Sequence, residues 1–374
     1  MQYTEYELGE LLPFEQPTAY IVKSTDYCDA YATPVLTAGK SFILGKTNET
    51  DGIFDQLPVI IFDDFTTATQ FVNFRFKVKS SAMKILHINT DLVIPKYIFY
   101  RLQIIQFDHS THKRYWIQSY SKIKVLIPPL DEQFRIVARI EELFSELDKA
   151  VDTLKTTKEQ LEVYRQAVLK DAFSDFEKKD SIRNLTMVVT SGSRGWAKYY
   201  SNSGALFVRI GNLTHSGIDI DFRDIQHITP PDNAEGVRTR LQPNDVLVSI
   251  TADLGSIGFV SEKVEEAYIN QHIALVRFQN PVQGRFMAWY LRSEYGQKDL
   301  LKNKRGGGKL GLGLDDIRDT PVPIVDDITA TEIVDKVEEQ LSVCDSIEKT
   351  VDTALAQADA MRQSILKQAF EGTM

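Results

Sequence analysis

Two nearly identical stretches, RQAVLKDAF at residues 165–173 and RQSILKQAF at residues 362–370, indicate how this 374-residue chain is built. They lie 197 positions apart, and the same spacing aligns the chain without gaps back to Val125 and Val322. Along this alignment Asp148 matches Asp345. A repeat period this long exceeds that of a solenoid unit and indicates a duplicated domain.

Each copy predicts one long amphipathic helix. Apolar residues recur at intervals of three and four, and neither stretch contains glycine or proline. The first stripe comprises Ile136, Ile140, Leu143, Leu147, Val151, Leu154, Leu161, Tyr164 and Val168, and the second Ile333, Val337, Leu341, Cys344, Ile347, Val351, Leu355, Ala358, Met361 and Ile365. Prolines precede both stretches, where a helix is expected to begin. We expect helices of about 35 to 40 residues, or roughly 50 to 60 Å.

A narrow apolar stripe on so long a helix requires a partner helix of similar length. The other copy is the obvious partner, and antiparallel pairing would give the chain an approximate twofold axis. The alternative is that each helix packs on its own neighbouring domain.

The region before each helix carries mixed signals for strands and helices. In the first, PVIIFDDF (58–65) and QFVNFRFKVKS (70–80) predict strands and PKYIFYRLQII (95–105) a helix. In the second, ALFVRIGNL (205–213), DVLVSITA (245–252), SIGFVSE (256–262) and AYINQHIALVRFQ (267–279) predict strands, and GRFMAWYLRSEYGQKDLLKN (284–303) a helix. The order of elements is alike, although the residues largely differ.

The predicted fold class is therefore α+β. Two mixed α/β domains, residues 1–130 and 179–325, are separated by two long helical regions, residues 131–178 and 326–374. We expect these helices to pair as an antiparallel coiled coil with pseudo-twofold symmetry.

The composition is that of a soluble globular protein with two or more domains, since 43% of residues are hydrophobic and 25% are charged. Two cysteines are too few for a disulfide framework, and the acidic start MQYTEYELGE lacks the apolar core of a signal peptide. We expect a cytoplasmic protein without a membrane span. The net charge of −9 comes mainly from the helical regions, so either domain can still carry a basic face.

No residues with the spacing of an active site are present. GGGKLG (306–311) has the glycine spacing of a dinucleotide-binding loop, but the charged LLKNKR precedes it where a buried strand is required. The six histidines lack metal-ligand spacing, and no G-x-S-x-G motif occurs. Asp63 and Asp64 match a polar strand end better than a paired acid site. We expect no catalytic residue, no metal and no cofactor.

Three loops combine basic, polar and aromatic residues. SGSRGWAKYY (191–200) carries Arg194 and Lys198 beside glycines, and KNKRGGGK (302–309) carries four positive charges around three glycines. HSTHKRYW (109–116) occupies the corresponding place in the first domain, after the predicted helix. Basic side chains and free backbone amides bind phosphates. The loops therefore indicate one ligand-binding face, with the alternative that each is a solvated loop.

Several stretches resemble the specificity subunits of type I restriction-modification systems. IPPLDEQFRIVARIEELFSELDKAVDTL (127–154) followed by RQAVLKDAF is similar to that family's central conserved region, and residues 322–370 resemble its C-terminal copy. SRGWAKYYSNSGALFVRIGNL (193–213), NDVLVSITADLGSIGFV (244–260) and AYINQHIALVR (267–277) resemble one version of its target recognition domain. TPVLTAGKSFILGKTNETDGIF (33–54) and VIIFDDFTTATQFVNFRFKVKSS (59–81) resemble another version.

The resemblance implies a DNA-reading subunit that is not itself an enzyme. Each recognition domain would read one half of a bipartite site, and the helices would fix the gap. The helices would also dock two copies of an adenine-N6 DNA methyltransferase subunit, and ATP-dependent motor-nuclease subunits would complete a restriction complex. The expected partners are thus double-stranded DNA and these subunits, without a membrane. The second junction, VPIVDDITATEI (322–333), lacks the PPLDEQ residues of the first. Equal docking of the two methyltransferase copies at both junctions is therefore less secure.

Base recognition assigns roles to particular side chains. Arginine pairs bidentately with guanine, and asparagine or glutamine with adenine, so Arg194 or Arg305 would read guanine and Gln271 or Asn212 adenine. The DNA-binding candidates of the second domain are Arg194, Trp196, Lys198, Arg209, Asn212, Gln271, His272, Lys304, Arg305 and Lys309, and those of the first are Lys40, Lys46, Thr66, Lys113 and Arg114.

Two other functions compete with this interpretation. One is an adaptor with two peptide-binding or protein-binding domains on a helical spacer. The other is a single-chain methyltransferase fused to its recognition domains, but no NPPF-like or DPPY-like tetrapeptide occurs.

Overall fold

The structure is a computed structural model that describes residues 3–37, 41–108, 114–232, 234–306 and 310–372. The chain divides into two compact units. Unit 1 comprises Met1–Leu154 with Thr353–Met374, and unit 2 comprises Lys155–Asp352. Each unit therefore combines the folded region before one long helix with part of both long helices.

Unit 1 combines small β-sheets with short helices. Its described strands are β1 (Thr4–Glu7), β2 (Phe14–Glu15), β3 (Thr33–Leu36), β4 (Ile43–Thr47), β5 (Val59–Asp63), β6 (Thr69–Val72), β7 (Lys77–Val78), β8 (Met83–Leu86) and β9 (Lys124–Ile127). Its helices are α1 (Leu8–Leu11), α2 (Pro95–Leu102) and α3 (Tyr115–Gln118), followed by the long helix α4 (Leu130–Phe173). The strands pair in the orders β2-β8-β5-β6, β4-β3-β7 and β1-β9.

Unit 2 has the same kinds of layers. Its described strands are β10 (Lys179–Ser181), β11 (Thr186–Ser191), β12 (Tyr200–Ser201), β13 (Ala205–Val208), β14 (Gln226–Ile228), β15 (Val246–Ser249), β16 (Ile257–Phe259), β17 (Ala267–Ile269), β18 (Ile273–Phe278) and β19 (Pro321–Pro323). Its helices are α5 (Ile182–Leu185), α6 (Ala234–Thr239), α7 (Gln283–Arg292), α8 (Glu294–Leu300) and α9 (Leu314–Arg318), followed by the long helix α10 (Asp327–Glu371). The strand orders are β11-β18-β15-β16, β12-β14-β13-β17 and β10-β19.

The two units repeat one pattern of strand pairing. β5 lies between β6 and β8, and β15 lies between β16 and β18, with every pair antiparallel. β3 runs parallel to β7, and β13 runs parallel to β17. The ribbon β1-β9 of unit 1 has its counterpart in β10-β19 of unit 2. The predicted duplication of the plan is confirmed, including a parallel strand pair that the sequence did not reveal.

Three predicted elements are divided in the structure. QFVNFRFKVKS forms β6 in one sheet and β7 in another, and AYINQHIALVRFQ likewise forms β17 and β18 in two sheets. The chain crosses between sheets at residues 270–272, so a single apolar run serves two layers. The predicted helix at 284–303 is interrupted at Ser293, whose Oγ accepts a hydrogen bond from the Gly296 amide at 3.3 Å and starts α8.

The long helices have 44 and 45 residues, more than the predicted 35 to 40. α4 begins directly after Pro129, and Asp131 and Glu132 in its first turn interact favourably with the helix dipole. At its other end α4 includes the whole of RQAVLKDAF, because the apolar residues of that stretch are buried in the core of unit 2. The tertiary contacts therefore extend the helix beyond its regular stripe.

Ion pairs show that α4 and α10 run antiparallel within each unit. In unit 2, Nη2 of Arg165 lies 2.7 Å from Oδ1 of Asp345, and Nζ of Lys158 lies 2.8 Å from Oδ1 of Asp352. In unit 1, Arg362 pairs with Asp148. Arg165 and Arg362 are equivalent repeat positions, as are Asp345 and Asp148. The predicted antiparallel pairing is confirmed, and the arginine that RQAVLKDAF and RQSILKQAF share pairs across the two helices in both units.

The phenylalanine that ends each repeat is inserted against the main helix of a unit. Phe173 contacts Phe286 and Tyr290 of α7, with ring centroids 5.5 and 5.7 Å apart. Phe370 contacts Tyr97 of α2 at 5.2 Å in the same edge-to-face arrangement. Both predicted modes of packing therefore occur, since the long helices contact each other and also the folded regions.

The two long helices begin differently. The buried side chain of Gln133 donates to the carbonyls of Pro128 and Leu92 at 2.9 and 3.1 Å and accepts from the Ile94 amide at 2.8 Å, which ties α4 to unit 1. The equivalent position in α10 is the buried Ala330, which cannot make these bonds. Asp326 instead accepts from the amide and hydroxyl of Thr329 at 2.9 and 2.8 Å. The second junction thus differs from PPLDEQ in one respect. Instead of a glutamine that bonds the helix to neighbouring loops, it has an aspartate that caps the helix.

Replacing Phe173 by Ala tests the anchoring of the helix ends. Phe173 is 2% exposed, so its truncation should lower the free energy of unfolding by about 3 to 5 kcal/mol. Phe134→Ala, on the same helix but 61% exposed, is the control and should change it by less than about 0.5 kcal/mol. Urea denaturation of both variants measures the difference. Equal losses for the two variants would contradict the anchoring role of Phe173.

Candidate nucleic-acid interface

An open cleft of 710 Å³ in unit 2 brings together three of the predicted DNA-binding residues. Arg194, His272 and Arg305 all line it, although 111 positions separate the first from the last. The remaining lining consists of Thr251, Ala252, Leu310, Gly311, Gly313, Leu314, Asp315 and Asp316. The cleft contains two arginines and two aspartates, so the formal charges of its lining balance.

The loop that carries Arg194 is held by a half-buried acidic residue, Glu235. Oε1 of Glu235 accepts hydrogen bonds from the Ser193 amide at 3.0 Å and from Nε1 of Trp196 at 3.2 Å. Burial opposes ionisation of Glu235, but Arg238, Trp196 and Ser193 together lower the pKa of this carboxyl. Arg194 itself is exposed between these two fixed residues. Glu235 was not among the predicted residues, because its distance of 42 positions from Ser193 gives no local signal.

Gly192 brings the same loop against the segment that carries His272. A Cβ atom at this position would lie 2.4 Å from the carbonyl carbon of Asn270 and from the carbonyl oxygen of Ile269. Both contacts are with backbone, so no side-chain adjustment could relieve them. Only glycine permits this approach of the Arg194 loop to the turn between β17 and β18.

Trp196 lies in the core rather than on the predicted surface. It is 3% exposed and stacks on Phe207 at 5.1 Å between ring centroids. An indole buried in this way cannot stack on a nucleotide. We therefore correct its expected direct contact with DNA to a role in holding the Arg194 loop in place.

Asn212 is likewise unable to read a base. Its side chain is buried, with Oδ1 accepting from the Arg209 amide at 2.8 Å and Nδ2 donating to the carbonyls of Asp221 and Asp224 at 2.8 and 3.1 Å. All its hydrogen-bonding groups are occupied by backbone atoms. Arg209 is half-buried and also donates to the Asp224 carbonyl, at 3.2 Å. Both residues stabilise the turn after β13, which corrects the prediction that Asn212 pairs with adenine.

Gln271 and His272 form a hydrogen-bonded pair beside the cleft. Nε2 of Gln271 lies 2.9 Å from Nε2 of His272, and Nδ1 of His272 bonds to the hydroxyl of Thr251. With Gln271 as the donor, its amide oxygen stays available for a ligand. The pair lies in the turn where the chain crosses between the two sheets of unit 2.

Two backbone hydrogen bonds and a helix cap hold Arg305. The backbone groups of Arg305 and Gly311 exchange two hydrogen bonds, at 3.0 and 2.8 Å. Nη2 of Arg305 donates to Oδ1 of Asp316 at 2.6 Å, while Oδ2 of Asp316 accepts from the Gly313 amide at 2.7 Å. Burial opposes ionisation of Asp316, but the Gly313 amide and Arg305 lower the pKa of this carboxyl. Asp316 was not among the predicted residues, because its distance of 11 positions from Arg305 gives no local signal.

The other predicted residues of unit 2 lie outside the cleft lining. Lys198 is exposed with Nζ 4.9 Å from the Tyr199 ring centroid, and Lys304 is exposed beside Arg305. Lys309 lies outside the described residues. The exposed lysines have the free charge that phosphate contacts require.

In unit 1 the predicted residues occupy separate positions. Lys46, on β4, lies with Nζ 3.4 Å from the Asp29 carbonyl oxygen, Thr66 donates from its hydroxyl to Asp63 at 2.7 Å, and Arg114 is exposed at the start of α3. Lys40 and Lys113 lie outside the described residues.

Asp63 and Asp64 are structural residues of the strand end. Buried Asp64 pairs with buried Lys84 at 3.0 Å and accepts from the Trp116 amide at 2.9 Å, which fixes the start of α3 beside Arg114. Asp63 accepts from the Phe65 amide at 2.9 Å. The interpretation as a polar strand end explains these contacts.

Within the described ranges, no cluster of three or more His, Cys, Asp or Glu residues could hold a metal ion. Among the helices of those same residues, none combines the length and the hydropathy needed to cross a bilayer.

No family model matches the chain. The specificity subunit of the type I restriction enzyme EcoR124I/EcoR124II from Escherichia coli is 45% identical over 174 residues, which are 43% of this chain and 43% of that protein. The EcoBI specificity subunit from Escherichia coli is 26% identical over 281 residues, covering 66% of this chain and 58% of that protein. The StySPI specificity subunit from Salmonella potsdam is 28% identical over 280 residues, covering 68% and 58%. The chain spans about half the length of the curated relatives it matches.

Two solved structures share the fold. One belongs to a study of the structural basis underlying complex assembly and conformational transition of the type I R-M system. Its TM-score is 0.71 at 17% identity, and the alignment covers 98% of this chain and 97% of that chain. The other is the HsdS subunit from Thermoanaerobacter tengcongensis, with a TM-score of 0.51 at 17% identity, covering 100% and 97%.

The fold thus places the chain in the class of proteins that combine two mixed α/β units with two long antiparallel helices. Its curated relatives are specificity subunits of type I restriction enzymes, and the chain is similar to them over part of their length. The resemblance inferred from the sequence is confirmed.

The loop after β4 in unit 1 offers a test by pH. Oε2 of Glu49 lies 2.9 Å from Nζ of Lys77, and its other oxygen accepts from the Lys23 and Ser24 amides. The hydrogen bond from Lys77, helped by the Ser24 amide, lowers the pKa of Glu49 to about 2 from 4.5. A depressed folded-state pKa contributes stability above pH 4.5 that is lost as the pH falls towards 2. The difference in melting temperature between wild type and Glu49→Gln should therefore shrink progressively below pH 4.5.

The control for this titration is Asp91→Asn, an exposed acid of the same unit. It should remain within about 0.5 kcal/mol of wild type at neutral pH. A Glu49→Gln difference that stays constant between pH 6 and pH 3 would show that the Lys77 contact does not control this carboxyl.

Proposed function

We propose that this chain is the sequence-specific DNA-binding specificity subunit of a type I restriction-modification complex. The regions 1–130 and 179–325 act as target recognition domains, and each reads one half of a bipartite DNA site. The observation that carries the proposal is the combination of repeated strand pairing with different side chains at the candidate interface. A shared scaffold with two different surfaces suits two different half-sites.

The cleft of unit 2 has the groups that base recognition requires. Arg194 and Arg305 supply planar guanidinium donors, and Gln271 supplies an amide next to them. Bidentate contacts of these kinds distinguish guanine and adenine in the major groove. The exposed Lys198 and Lys304 supply charge for phosphates, which hold the register and provide much of the salt-dependent affinity.

The chain's own part in the reaction is recognition. We assign methyl transfer to two adenine-N6 methyltransferase subunits and DNA cleavage to ATP-dependent motor-nuclease subunits of the complex. In this assignment the chain needs no cofactor, and it acts in the cytoplasm, where its DNA lies.

The starts of the long helices are the proposed docking sites for the methyltransferase subunits. Leu126, Leu130 and Phe134 are exposed apolar residues at the start of α4. At the start of α10 the exposed apolar residues are Ile324 and Ile328, and no aromatic residue stands at the position equivalent to Phe134. Exposed apolar patches of this kind favour protein contacts. The smaller second patch supports weaker docking at the second junction.

Mapping of methylated adenines tests the proposed function. Long-read sequencing of cells with and without the gene should reveal one bipartite motif, with two specific half-sites and a constant gap, that is lost on deletion. The purified complex should bind DNA with this motif in preference to DNA in which either half-site is scrambled. A complex without preference among DNA sequences would instead favour the two-domain adaptor.

A second experiment tests the long helices as a spacer. One heptad is inserted between Leu154 and Lys155 of α4 and another between Asp352 and Thr353 of α10, where the two units divide. Seven residues add about 10 Å of helix, so the gap in the methylated motif should grow by roughly three base pairs at 3.4 Å each. A motif with the original gap would refute the spacer role.

The control for the spacer experiment is a heptad in α4 alone. It shifts one helix past the other and breaks either the Arg165–Asp345 or the Arg362–Asp148 pair. We expect this variant to be less stable than the variant with both insertions in thermal unfolding.

A further inference from the structure

We propose that Asp316 is a positioning residue for specificity, which aims Arg305 at a base edge in the half-site read by unit 2. The inference rests on the proposed function and adds to it a role for a residue that does not itself contact DNA. It assigns Arg305 to base reading, with guanine as the base, rather than to phosphate binding.

In this pair, a buried carboxylate holds an exposed guanidinium. Asp316 has a side chain that is 6% exposed, whereas the side chain of Arg305 is 76% exposed. The 2.6 Å bond between Nη2 and Oδ1 therefore joins a buried acceptor to a guanidinium that faces the cleft. The carboxylate is too deeply placed to meet a base, and the arginine is free to do so.

Asp316 is fixed independently of Arg305. Its Oδ2 accepts from the Gly313 amide, and its backbone carbonyl accepts from the hydroxyl of buried Thr320 at 2.8 Å. The next residue, Ile317, is fully buried in the core of unit 2. The anchor is thus part of the rigid framework and keeps its position when no DNA is bound.

The backbone of Arg305 is fixed as well. Beyond the two bonds between Arg305 and Gly311, the Leu312 amide donates to the Ile250 carbonyl at 2.9 Å, just after β15. Both ends of the arginine side chain are therefore tied to the framework. An unrestrained arginine would lose more conformational freedom on binding, so this restraint prepares Arg305 for contact.

The charge around Arg305 favours a base over a phosphate. Asp316 neutralises the guanidinium at its closest contact. Asp315 lines the same cleft, but its carboxylate is paired with Arg318 and Arg183 at 3.0 and 3.4 Å. A phosphate would be repelled by the Asp316 carboxylate beside Arg305, whereas the acceptors of guanine are neutral. Arginine has five N–H donors, so the single bond to Asp316 leaves enough for the two that bidentate pairing with guanine requires.

The test uses the complete complex and a randomised DNA library. Wild type, Arg305→Ala, Asp316→Asn and the double variant are each used to select bound sequences, and affinities are then measured for every base at each position. Arg305→Ala should lose preference for guanine at one position by roughly 5-fold to 150-fold. Asp316→Asn should lose preference at the same position by at least about threefold, because the guanidinium is no longer held in place.

Asparagine is the informative replacement because its amide oxygen can still cap Gly313, while its NH₂ group cannot accept from Arg305. The double variant should be no worse than Arg305→Ala, since both changes remove one interaction. The control is Asp319→Asn, which removes the same charge near α9 from a residue that pairs with Arg183 and does not line the cleft. It should keep the wild-type motif.

Two further measurements separate positioning from folding. The melting temperature of each variant shows whether a loss is structural, and a structural defect would weaken binding to every sequence of that half-site. If Asp316→Asn does not fold, Asp316→Ser replaces it, because its hydroxyl is too short to reach Arg305. Arg305→Lys, which keeps the charge but cannot form a bidentate pair, should bind with relaxed preference at the same position.

The outcomes distinguish the inference from the proposed function. Loss of preference at one shared position, with non-additive effects, supports the role of Asp316. A uniform loss for all sequences, or an Asp316→Asn variant with the full wild-type preference, overturns it while the proposed function stands. A wild-type complex that enriches no motif overturns both.

Discussion

The pairing of the two long helices is the constraint on which the rest of the structure depends. Neither helix can bury a narrow apolar stripe of this length by itself, and each obtains its partner from the other repeat. The ion pairs of Arg165 and Arg362 set the register, but their partners Asp345 and Asp148 are exposed, and ion pairs open to solvent contribute only about 0 to 1 kcal/mol. Insertion of Phe173 against α7 contributes more, because a buried aromatic ring costs about 3 to 5 kcal/mol to remove. The half-buried Phe370 packs in the same way against α2.

This constraint separates what is repeated from what varies. The repeated residues are those that hold the helices together and join them to the folded regions. Glu338 accepts a hydrogen bond from Nε1 of Trp289 at 2.8 Å. Its equivalent Glu141 pairs with Lys96. The strand pairing is kept because it supports these contacts. The loops at the candidate interface are free of that requirement, so Arg305 and its anchor Asp316 belong to one unit only.

Much of the fold followed from local patterns, whereas the site followed only in part. Periodicity and the repeat predicted both long helices and their antiparallel pairing, and apolar runs predicted most strands. The division of AYINQHIALVRFQ between two sheets was not predictable, because it depends on which distant strands β17 and β18 join. Composition pointed to the loops of Arg194 and Arg305, but it also pointed to Trp196 and Asn212, which the folded chain buries.

The sequence by itself determined the scaffold, since helix periodicity, prolines before the helices and a long repeat are local or directly comparable features. Only the tertiary structure decided which polar residues line the open cleft and which hold the chain. Glu235, Gln133 and Asp316 act through partners between 3 and 42 positions away, and their role depends on burial and direction. The physical reason is that a hydrogen bond is defined by distance and angle in space, whereas residue type along the chain specifies only the capacity to form one.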